Sequence, residues 1–386
     1  MSAMILQANA LNLPLADGCV QTCVTSPPYW GLRAYLSNDD PNKKYELGLE
    51  PTPDEYVANM VNVFREVKRV LRDDGTLWLN LGDSFFGSWG NYGGQNRGNG
   101  TQRDITNGSQ VPNPAYDGLE QFRPPTAGKI DGLKPKDLVG IPWRVAFALQ
   151  ADGWYLRSDI IWHKPNPMPE SVTDRPTKAH EYIFLLSKSA RYYYDAEAVR
   201  EKSEGVTGGG FSQKYAEQQP AHGAMRLDRP ADNGSRNRRT VWTIATAPYS
   251  GAHFATFPPK LVEPCILAGT SERGCCPACG APWERVVERT TMVIDRSDRT
   301  HELGRTRASG TMIEPPSATT TGWRPTCACP AHEPVPCLVL DPFNGSGTTG
   351  RVAVQHRRRY VGTELNPDYI ALAHERTGRV QIEMAV

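Results

Sequence analysis

The sequence predicts an α/β fold built on a doubly wound, mostly parallel sheet whose strand order along the chain is circularly permuted. A glycine-rich turn between a strand and a helix lies near the C-terminus, and only one more strand follows it. Because a doubly wound sheet needs several further strands beside such a turn, the missing strands must come from the N-terminal half.

The bulk composition limits the classes of protein to consider. The chain has 386 residues with 35 glycines and 32 prolines, so it fits one large domain with insertions, or two domains, with much loop. Its formal net charge is only +1, so any nucleic-acid-binding surface must be a local patch. No segment approaches the roughly 20 apolar residues of a membrane span, and no signal peptide is recognisable. We expect a cytoplasmic protein with no membrane partner.

The N-terminal third predicts two strands, a helix and a third strand. The strands cover residues 4–7 and Val20–Thr25. Thr52 is a predicted N-cap, and apolar residues recur with helical spacing from there to residue 71. A buried strand over 76–81 follows.

The middle of the chain alternates between polar and ordered segments. Residues 85–135 are rich in Gly, Asn, Gln and Ser without periodicity, which predicts a long flexible loop. A helix is predicted over 137–151, with strands over 155–162 and 182–186. Another helix is predicted over 259–267.

The glycine-rich turn has the pattern of a ligand-binding loop. It reads D-P-F-N-G-S-G-T-T-G over residues 341–350, between a strand and a helix, and Glu364 ends the next strand. Glycines let the backbone approach a ligand, and an acidic residue at that position can accept bonds from ribose hydroxyls. Gly345 to Gly350 also spell G-x-G-x-x-G, so a nicotinamide oxidoreductase stays an alternative, although the terminal position of the loop is unusual for that class.

A second candidate loop reads S-P-P-Y over residues 26–29, directly after a predicted strand. The prolines remove two N–H donors, so Ser26 Oγ and the Pro27 carbonyl could accept both hydrogens of an amino group, such as that of an extruded nucleobase. Tyr29 could stack on the base. The alternative is a rigid, proline-rich surface turn.

The S-P-P-Y loop upstream and the D-P-F-x-G-S-G-T-T loop downstream together resemble the DNA amino-methyltransferases, in the permuted order with the catalytic loop first. Segments 155–195 and 253–263 also resemble that family. The resemblance implies a Rossmann-like S-adenosylmethionine-dependent methyltransferase sheet that methylates the exocyclic amino group of a flipped base in double-stranded DNA. It also implies a bacterial or phage modification role, in which a companion restriction endonuclease is possible.

The resemblance assigns roles to individual residues. The catalytic residues would be Ser26, Pro27, Pro28 and Tyr29. The cofactor-binding residues would be Asn9, Phe257, Pro258, Asp341, Phe343, Gly345, Gly347, Thr348 and Glu364. The family usually has Gly-Asp where this chain has Ala8-Asn9, so Asn9 would contact the cofactor without a charge. Serine at the first position of the catalytic loop favours cytosine N4 as the target, and adenine N6 is the alternative.

Carbon-5 cytosine methyltransferases provide a contrast, because they need a cysteine nucleophile that usually follows proline. This chain has Pro264-Cys265 and Pro336-Cys337. That class places its cofactor loop first, however, and Cys265 lies in an apolar helix, which favours a core position.

Six of the nine cysteines lie between Cys275 and Cys337. A C-x-x-C turn and a C-x-C turn predict a closed structural zinc site in a small zinc-ribbon-like insert. We expect the ligands to be Cys276, Cys279, Cys327 and Cys329, with Cys275, His332 and Cys337 as substitutes. Free or redox-active thiols are the alternative. A stretch within the gap between the two turns, 290–312, is predicted to be an exposed loop.

Basic residues before Trp242 are candidates for DNA contact, together with Lys164 and Asn166. The first set is Arg236, Arg238 and Arg239. The alternative is a solvated run of charges, and a non-catalytic zinc-dependent DNA-binding protein is the third functional hypothesis.

These assignments divide the chain into four regions. Residues 1–200 form the catalytic half of the methyltransferase domain, and 201–250 form the target-recognition and DNA-contact region. Residues 251–269 and 338–386 form the cofactor-binding half. Residues 270–337 form the Cys-rich insert.

Overall fold

The computed structural model describes residues 3–32, 34–87, 130–202, 235–247, 257–290, 293–295, 311–314 and 318–378. Most of the flexible loop predicted over 85–135, and most of the recognition region predicted over 201–250, lie outside the described residues.

Five α-helices, two 3-10 helices (Lys43–Tyr45 and Glu197–Val199) and fourteen strands are found in the part of the chain that the structure describes. The helices are α1 (Pro53–Val70), α2 (Ile141–Ala151), α3 (Pro259–Gly269), α4 (Thr348–Gln355) and α5 (Pro367–Gly378). The strands are β1 (Ala3–Gln7), β2 (Val20–Thr25), β3 (Leu71–Leu81), β4 (Tyr155–His163), β5 (His180–Ser187), β6 (Glu201–Lys202), β7 (Ser235–Arg236), β8 (Val241–Thr243), β9 (Trp283–Arg289), β10 (Val293–Asp295), β11 (Thr311–Glu314), β12 (Ala318–Pro325), β13 (Leu338–Asp341) and β14 (Arg359–Glu364).

Eight of these strands form one sheet in the order β1-β14-β13-β2-β3-β5-β4-β8. The five strands from β1 to β3 in that order are parallel, and β5 is antiparallel to both of its neighbours. The C-terminal strands β13 and β14 thus lie between the N-terminal strands β1 and β2. The predicted permuted, doubly wound α/β sheet is confirmed.

Helices cover both faces of the sheet. On one face, α1 packs beside α2 and buries Tyr56, Met60, Val63 and Val67 along one stripe, as the helical spacing predicts. On the other face, α3 and α4 pack over a second apolar cluster that includes Ile266. None of the described helices is both long enough and apolar enough to cross a membrane.

Two predicted boundaries near the site are wrong, for reasons that involve distant residues. Strand β3 starts at Leu71 rather than at residue 76, because Leu71 already pairs with Val20 of β2. Helix α2 starts at Ile141 rather than at 137. The Asp83 carboxylate accepts hydrogen bonds from the Gly140 and Ile141 N–H groups, each at 3.0 Å, and so caps this helix from the end of β3.

The insert contains more regular structure than the sequence predicts. Strands β9 and β12 form one antiparallel ribbon, and β10 and β11 form another within the stretch predicted to be an exposed loop. That prediction is wrong at 293–295 and 311–312, because cross-strand pairing gives these short segments backbone partners that local sequence does not reveal.

Candidate active site

The two candidate loops leave the same edge of the sheet. Strand β2 ends at Thr25 before the S-P-P-Y loop, and its neighbour β13 ends at Asp341 before the glycine loop. Thr25 Oγ1 donates a hydrogen bond to Asp341 Oδ1 at 2.7 Å. Two segments more than 300 residues apart in sequence therefore form one continuous rim.

Asp341 is the anchor of the glycine loop and is 1% exposed. Besides Thr25, it accepts hydrogen bonds from Thr349 Oγ1 at 2.8 Å and from the Phe343 N–H at 3.1 Å. Burial raises its pKa to about 6, although the two hydroxyl groups oppose that change. Through these hydrogen bonds the Asp341 carboxyl group fixes the conformation of the glycine loop.

Two glycines give this loop its shape, Gly345 beside open space and Gly347 packed against the buried Ala373 of α5. Gly345 and Gly347 have φ angles of +48° and +77°, and a Cβ on Gly347 would lie 2.9 Å from Ala373 Cβ. Phe343 is partly buried against the core. Thr348 is buried, and its hydroxyl accepts a hydrogen bond from Arg376 Nη1 at 2.9 Å, so this side chain is used within the fold.

Glu364 ends β14 beside the glycine loop. Its carboxylate accepts hydrogen bonds from the N–H groups of Gly345, Leu365 and Asn366, at 2.9 to 3.0 Å. Burial raises its pKa, and these bonds oppose the rise. Oε1 accepts two of these bonds and Oε2 only one, so Oε2 keeps acceptor capacity for a ribose hydroxyl. Asn9 lies just past the end of the adjacent β1, where its Oδ1 accepts the Leu11 N–H at 2.9 Å.

The S-P-P-Y loop is fixed from beneath by aromatic side chains. Tyr56 of α1 donates from its hydroxyl to the Pro28 carbonyl at 2.9 Å. Trp30 is 1% exposed and donates from Nε1 to the Glu50 carbonyl at 2.9 Å. The loop is therefore a rigid part of the core rather than a free surface turn.

Ser26 and Tyr29 join a polar network at the end of β3. Ser26 Oγ lies 3.3 Å from the Tyr29 hydroxyl and 3.2 Å from Asn80 Oδ1. The Tyr29 hydroxyl lies 3.0 Å from Asn80 Oδ1 and donates to Glu181 Oε2 at 2.8 Å. Burial, followed by the charge of Glu181, raises the pKa of Tyr29 well above its ordinary value, so the phenol is neutral.

Comparison with known proteins decides the family. The model of a DNA methylase family of the N6/N4 type matches residues 20–276 and 336–375, which is most of the chain. This chain belongs to that family. It is an S-adenosylmethionine-dependent DNA methyltransferase.

Relatives support the assignment along nearly the whole length. Type II methyltransferase M.Cfr9I of Citrobacter freundii is 40% identical over 97% of this chain and 87% of its own. Type II methyltransferase M.SmaI of Serratia marcescens is 38% identical over 92% of this chain and 82% of its own. The solved structure of the PvuII DNA methyltransferase (cytosine-N4-specific) covers 100% of this chain and 89% of its own, with 14% identity and a TM-score of 0.52, and so shares the fold.

Helix α3 of this DNA methyltransferase lies behind the glycine loop. Phe257 packs against the apolar cluster beneath α3 and α4, and the buried Pro258 is the N-cap of α3. Cys265 is 2% exposed within that helix, and its thiol points to the Leu261 carbonyl. This cysteine lies in the core, as its apolar surroundings indicate.

The four predicted metal ligands come together. The sulfur atoms of Cys276, Cys279, Cys327 and Cys329 all lie within 4.8 Å of one another. The family model omits most of this insert, since it stops at Cys276 and resumes at residue 336.

The predicted DNA contacts are engaged with protein groups. Arg236 and Arg239 both pair with Glu201, at 2.7 and 2.5 Å, and Arg238 lies over the Trp242 ring at 4.5 Å. Lys164 pairs with Glu181 and lies 4.4 Å from the centroid of the Trp162 ring. Asn166 exchanges hydrogen bonds with Thr246.

Sequence reasoning missed Asn80, Glu181 and Thr349, although Asn80 and Glu181 each give a signal. Asn80 interrupts the apolar run of β3 and is 4% exposed, and Glu181 lies at the start of the apolar strand β5. A polar residue in a buried strand needs a partner, and that requirement points to a site.

Proposed function

We propose that this enzyme methylates the N4 amino group of cytosine in double-stranded DNA, on a base rotated out of the helix. The observation that carries the proposal is Ser26, a neutral hydroxyl at the first position of a rigid loop that the Thr25–Asp341 hydrogen bond joins to the glycine loop. The name of the PvuII relative, which is cytosine-N4-specific, agrees with this choice. Adenine N6 is the alternative target.

The chain's residues fit the cofactor and the base at adjacent places. Gly345 presents no side chain and has open space where a Cβ would lie, and the Glu364 carboxylate, which accepts its N–H, has acceptor capacity for ribose. S-adenosylmethionine supplies an electrophilic methyl group on sulfonium. Ser26 Oγ and the Pro27 carbonyl accept the two amino hydrogens, which orients the nitrogen lone pair toward that methyl group. Catalysis then arises from positioning, without a covalent enzyme intermediate.

The test is transfer of labelled methyl groups to double-stranded DNA of mixed sequence, followed by mass spectrometry of the nucleosides. N4-methylcytosine is the expected product. N6-methyladenine would overturn the assignment of the base, and absence of any methylated nucleoside would overturn the proposed site. The Ser26→Ala/Tyr29→Ala double variant should be inactive while keeping the wild-type melting temperature within a few degrees.

We propose that the four-cysteine cluster holds one structural zinc ion. A tetrahedral ion with Zn–S bonds of about 2.3 Å separates its sulfur ligands by about 3.8 Å, which agrees with the 4.8 Å limit on the observed cluster. Gly280 O accepts a hydrogen bond from Gln21 Nε2 at 3.2 Å, and Arg72 donates to the Cys279 carbonyl. Gln21 and Arg72 lie near the beginnings of β2 and β3, at the edge opposite the candidate active site, so the zinc has no catalytic role.

Metal analysis of the purified protein tests the zinc site. One zinc per chain is expected in the wild type, and Cys276→Ser should lose it. Cys19→Ser, outside the cluster, is the matched control and should keep the metal. Metal-free wild-type protein with four reactive thiols would contradict the proposal.

We propose that the arginines before Trp242 contact DNA phosphates and that the enzyme acts beside a companion restriction endonuclease. A phosphate would compete with Glu201 for Arg239, whose side chain is 65% exposed. Arg239→Ala should weaken DNA binding at low salt and reduce its salt dependence by about one ion. DNA methylated by the enzyme should resist that endonuclease. An unchanged salt dependence of binding would count against the phosphate contact of Arg239. Continued cleavage of the methylated DNA would count against the companion endonuclease.

A further inference from the structure

A chain of hydrogen bonds leads from the candidate base pocket to a carboxylate. It runs from Ser26 Oγ to the Tyr29 hydroxyl, 3.3 Å away, and from that hydroxyl to Glu181 Oε2, 2.8 Å away. We propose that Glu181 receives, through Tyr29 and Ser26, the proton that the target amino group loses on methylation. The inference rests on the proposed function of the S-P-P-Y loop.

The proton balance of the reaction requires a group that accepts one proton from the target amino nitrogen. The amino nitrogen forms the new N–C bond while the C–S bond breaks and its electron pair stays on sulfur. The nitrogen then bears a positive charge and must release one hydrogen as a proton. Ser26 Oγ can take that proton as its own passes to Tyr29, whose proton passes to the Glu181 carboxylate and leaves for water.

The carboxylate is held in place by Asn80 and Lys164. Asn80 Nδ2 of β3 lies 3.3 Å from Glu181 Oε2 and donates to the Tyr182 carbonyl at 3.0 Å. Lys164, just after β4, forms an ion pair with Oε1, which leaves Oε2 directed at Tyr29. The Glu181 side chain is 16% exposed, enough to return a proton to solvent.

The charged and titratable groups around Glu181 are of both signs. They are Tyr29, Lys164, Lys178 and His180, and beyond them Asp83 acts on Lys178 and His163 on His180. Burial lowers the pKa of Lys178, which donates to the Asp83 carbonyl at 2.7 Å. Within the part of the chain that the structure describes, Lys164 alone of these groups forms an ion pair with Glu181, so its removal is the most direct way to change the basicity of the carboxylate.

A role that is only structural makes a different prediction. If Glu181 merely oriented Tyr29, Glu181→Gln would preserve the acceptor for the phenol and leave the rate nearly unchanged. If Glu181 takes the proton, the rate constant of methyl transfer should fall about 100-fold, as for loss of a general base. Tyr29→Phe should give a similar loss, and the double variant should lose little more.

The experiment measures single-turnover methyl transfer from S-adenosylmethionine, with enzyme in excess over DNA, between about pH 4 and 9, a range that includes the titration of a glutamate carboxylate. Lys164→Met should move the acid limb of the rate profile upward by about one pH unit, because the opposite charge that favours the carboxylate is gone. Glu170→Gln, which breaks the comparable Glu170–Arg175 ion pair, is the control and should change neither rate nor profile. Cofactor affinity and melting temperature are measured for every variant.

The outcomes separate the relay from the site itself. An active wild type with an equally active Glu181→Gln variant would overturn the relay alone. A slow Glu181→Gln variant with an unshifted Lys164→Met profile would also overturn it, in favour of simple positioning. An inactive wild type on all DNA would overturn both the relay and the proposed function.

Discussion

Replacement of Asp341 by asparagine should remove a pH-dependent penalty from the folded protein. Burial raises the pKa of this carboxyl group from 3.8 to about 6, so the folded state binds its proton more tightly than the unfolded chain does. The stability contributed by this group therefore rises as the pH falls from about 6 to about 4 and is lowest above pH 6. The difference of about 2 pKa units corresponds to a penalty of about 3 kcal/mol at pH 7.

Asparagine can keep the local hydrogen bonds. Its Oδ1 can still accept from Thr25 and from the Phe343 N–H, and Thr349 can turn its hydroxyl to the Val24 carbonyl, 3.3 Å away, while accepting from the new amide. At pH 7 the Asp341→Asn variant should therefore be more stable than the wild type by up to about 3 kcal/mol, and this advantage should disappear near pH 4.

Urea unfolding of the cofactor-free proteins, followed by circular dichroism from about pH 4.5 to 7.5, measures the difference. Asp39→Asn, which replaces an exposed carboxylate, is the control for any effect on stability of the change from carboxylate to amide alone. A stability difference between wild type and Asp341→Asn that stays constant with pH would refute the conclusion that burial perturbs this carboxyl group.

Three further changes test the candidate active site and the Cys-rich insert. Gly82→Ala would place a Cβ 2.5 Å from Tyr29 Cε2, so it should displace the ring and slow single-turnover methyl transfer at least about 10-fold, and an unchanged rate would contradict the observed packing. Gly347→Ala would combine a φ of +77° with a Cβ 2.9 Å from Ala373 Cβ, and should cost about 1–3 kcal/mol of stability and weaken cofactor binding in calorimetry. Gly322→Ala, with nothing within 4 Å, is its neutral control. Chelation of zinc should direct limited proteolysis to the Cys-rich insert while circular dichroism of the main sheet persists, and an insert that stays resistant would count against the metal.

The S-P-P-Y loop and the glycine loop were predictable because each consists of consecutive residues with a distinctive local pattern. Prolines and glycines restrict the backbone in ways that are readable from local sequence, so residues 26–29 and 341–350 could be placed after strands. The conversion of that pattern into a permuted sheet required only the rule that parallel strands end at a common edge. The resemblance to a known family then supplied the roles of single residues, such as Ser26 and Glu364.

The partners of these loops could not be read in the same way. Glu181 reaches Tyr29 only because β5 pairs antiparallel with β3. The sequence of β5 alone does not show which strand lies beside it. Likewise, Asp83 caps a helix 57 residues later in the chain. Both contacts depend on strand order and register, which are properties of the assembled sheet.

The position of the Cys-rich insert explains how the sheet tolerates it. Helix α3 ends at Gly269 and β13 begins at Leu338, and between them Cys275 and Val335 exchange backbone hydrogen bonds at 2.8 and 2.9 Å. This pairing closes the base of the insert, so the length of the insert adds little to the entropy cost of returning to β13.

The insert also docks on Gln21 and Arg72, near the N-terminal ends of β2 and β3, whereas the two candidate loops follow the C-terminal ends of β2 and β13. A β2 strand of six residues separates these edges by roughly 20 Å. The insert can thus stabilise the strands that carry the catalytic loop without entering the space where the base and the cofactor would meet.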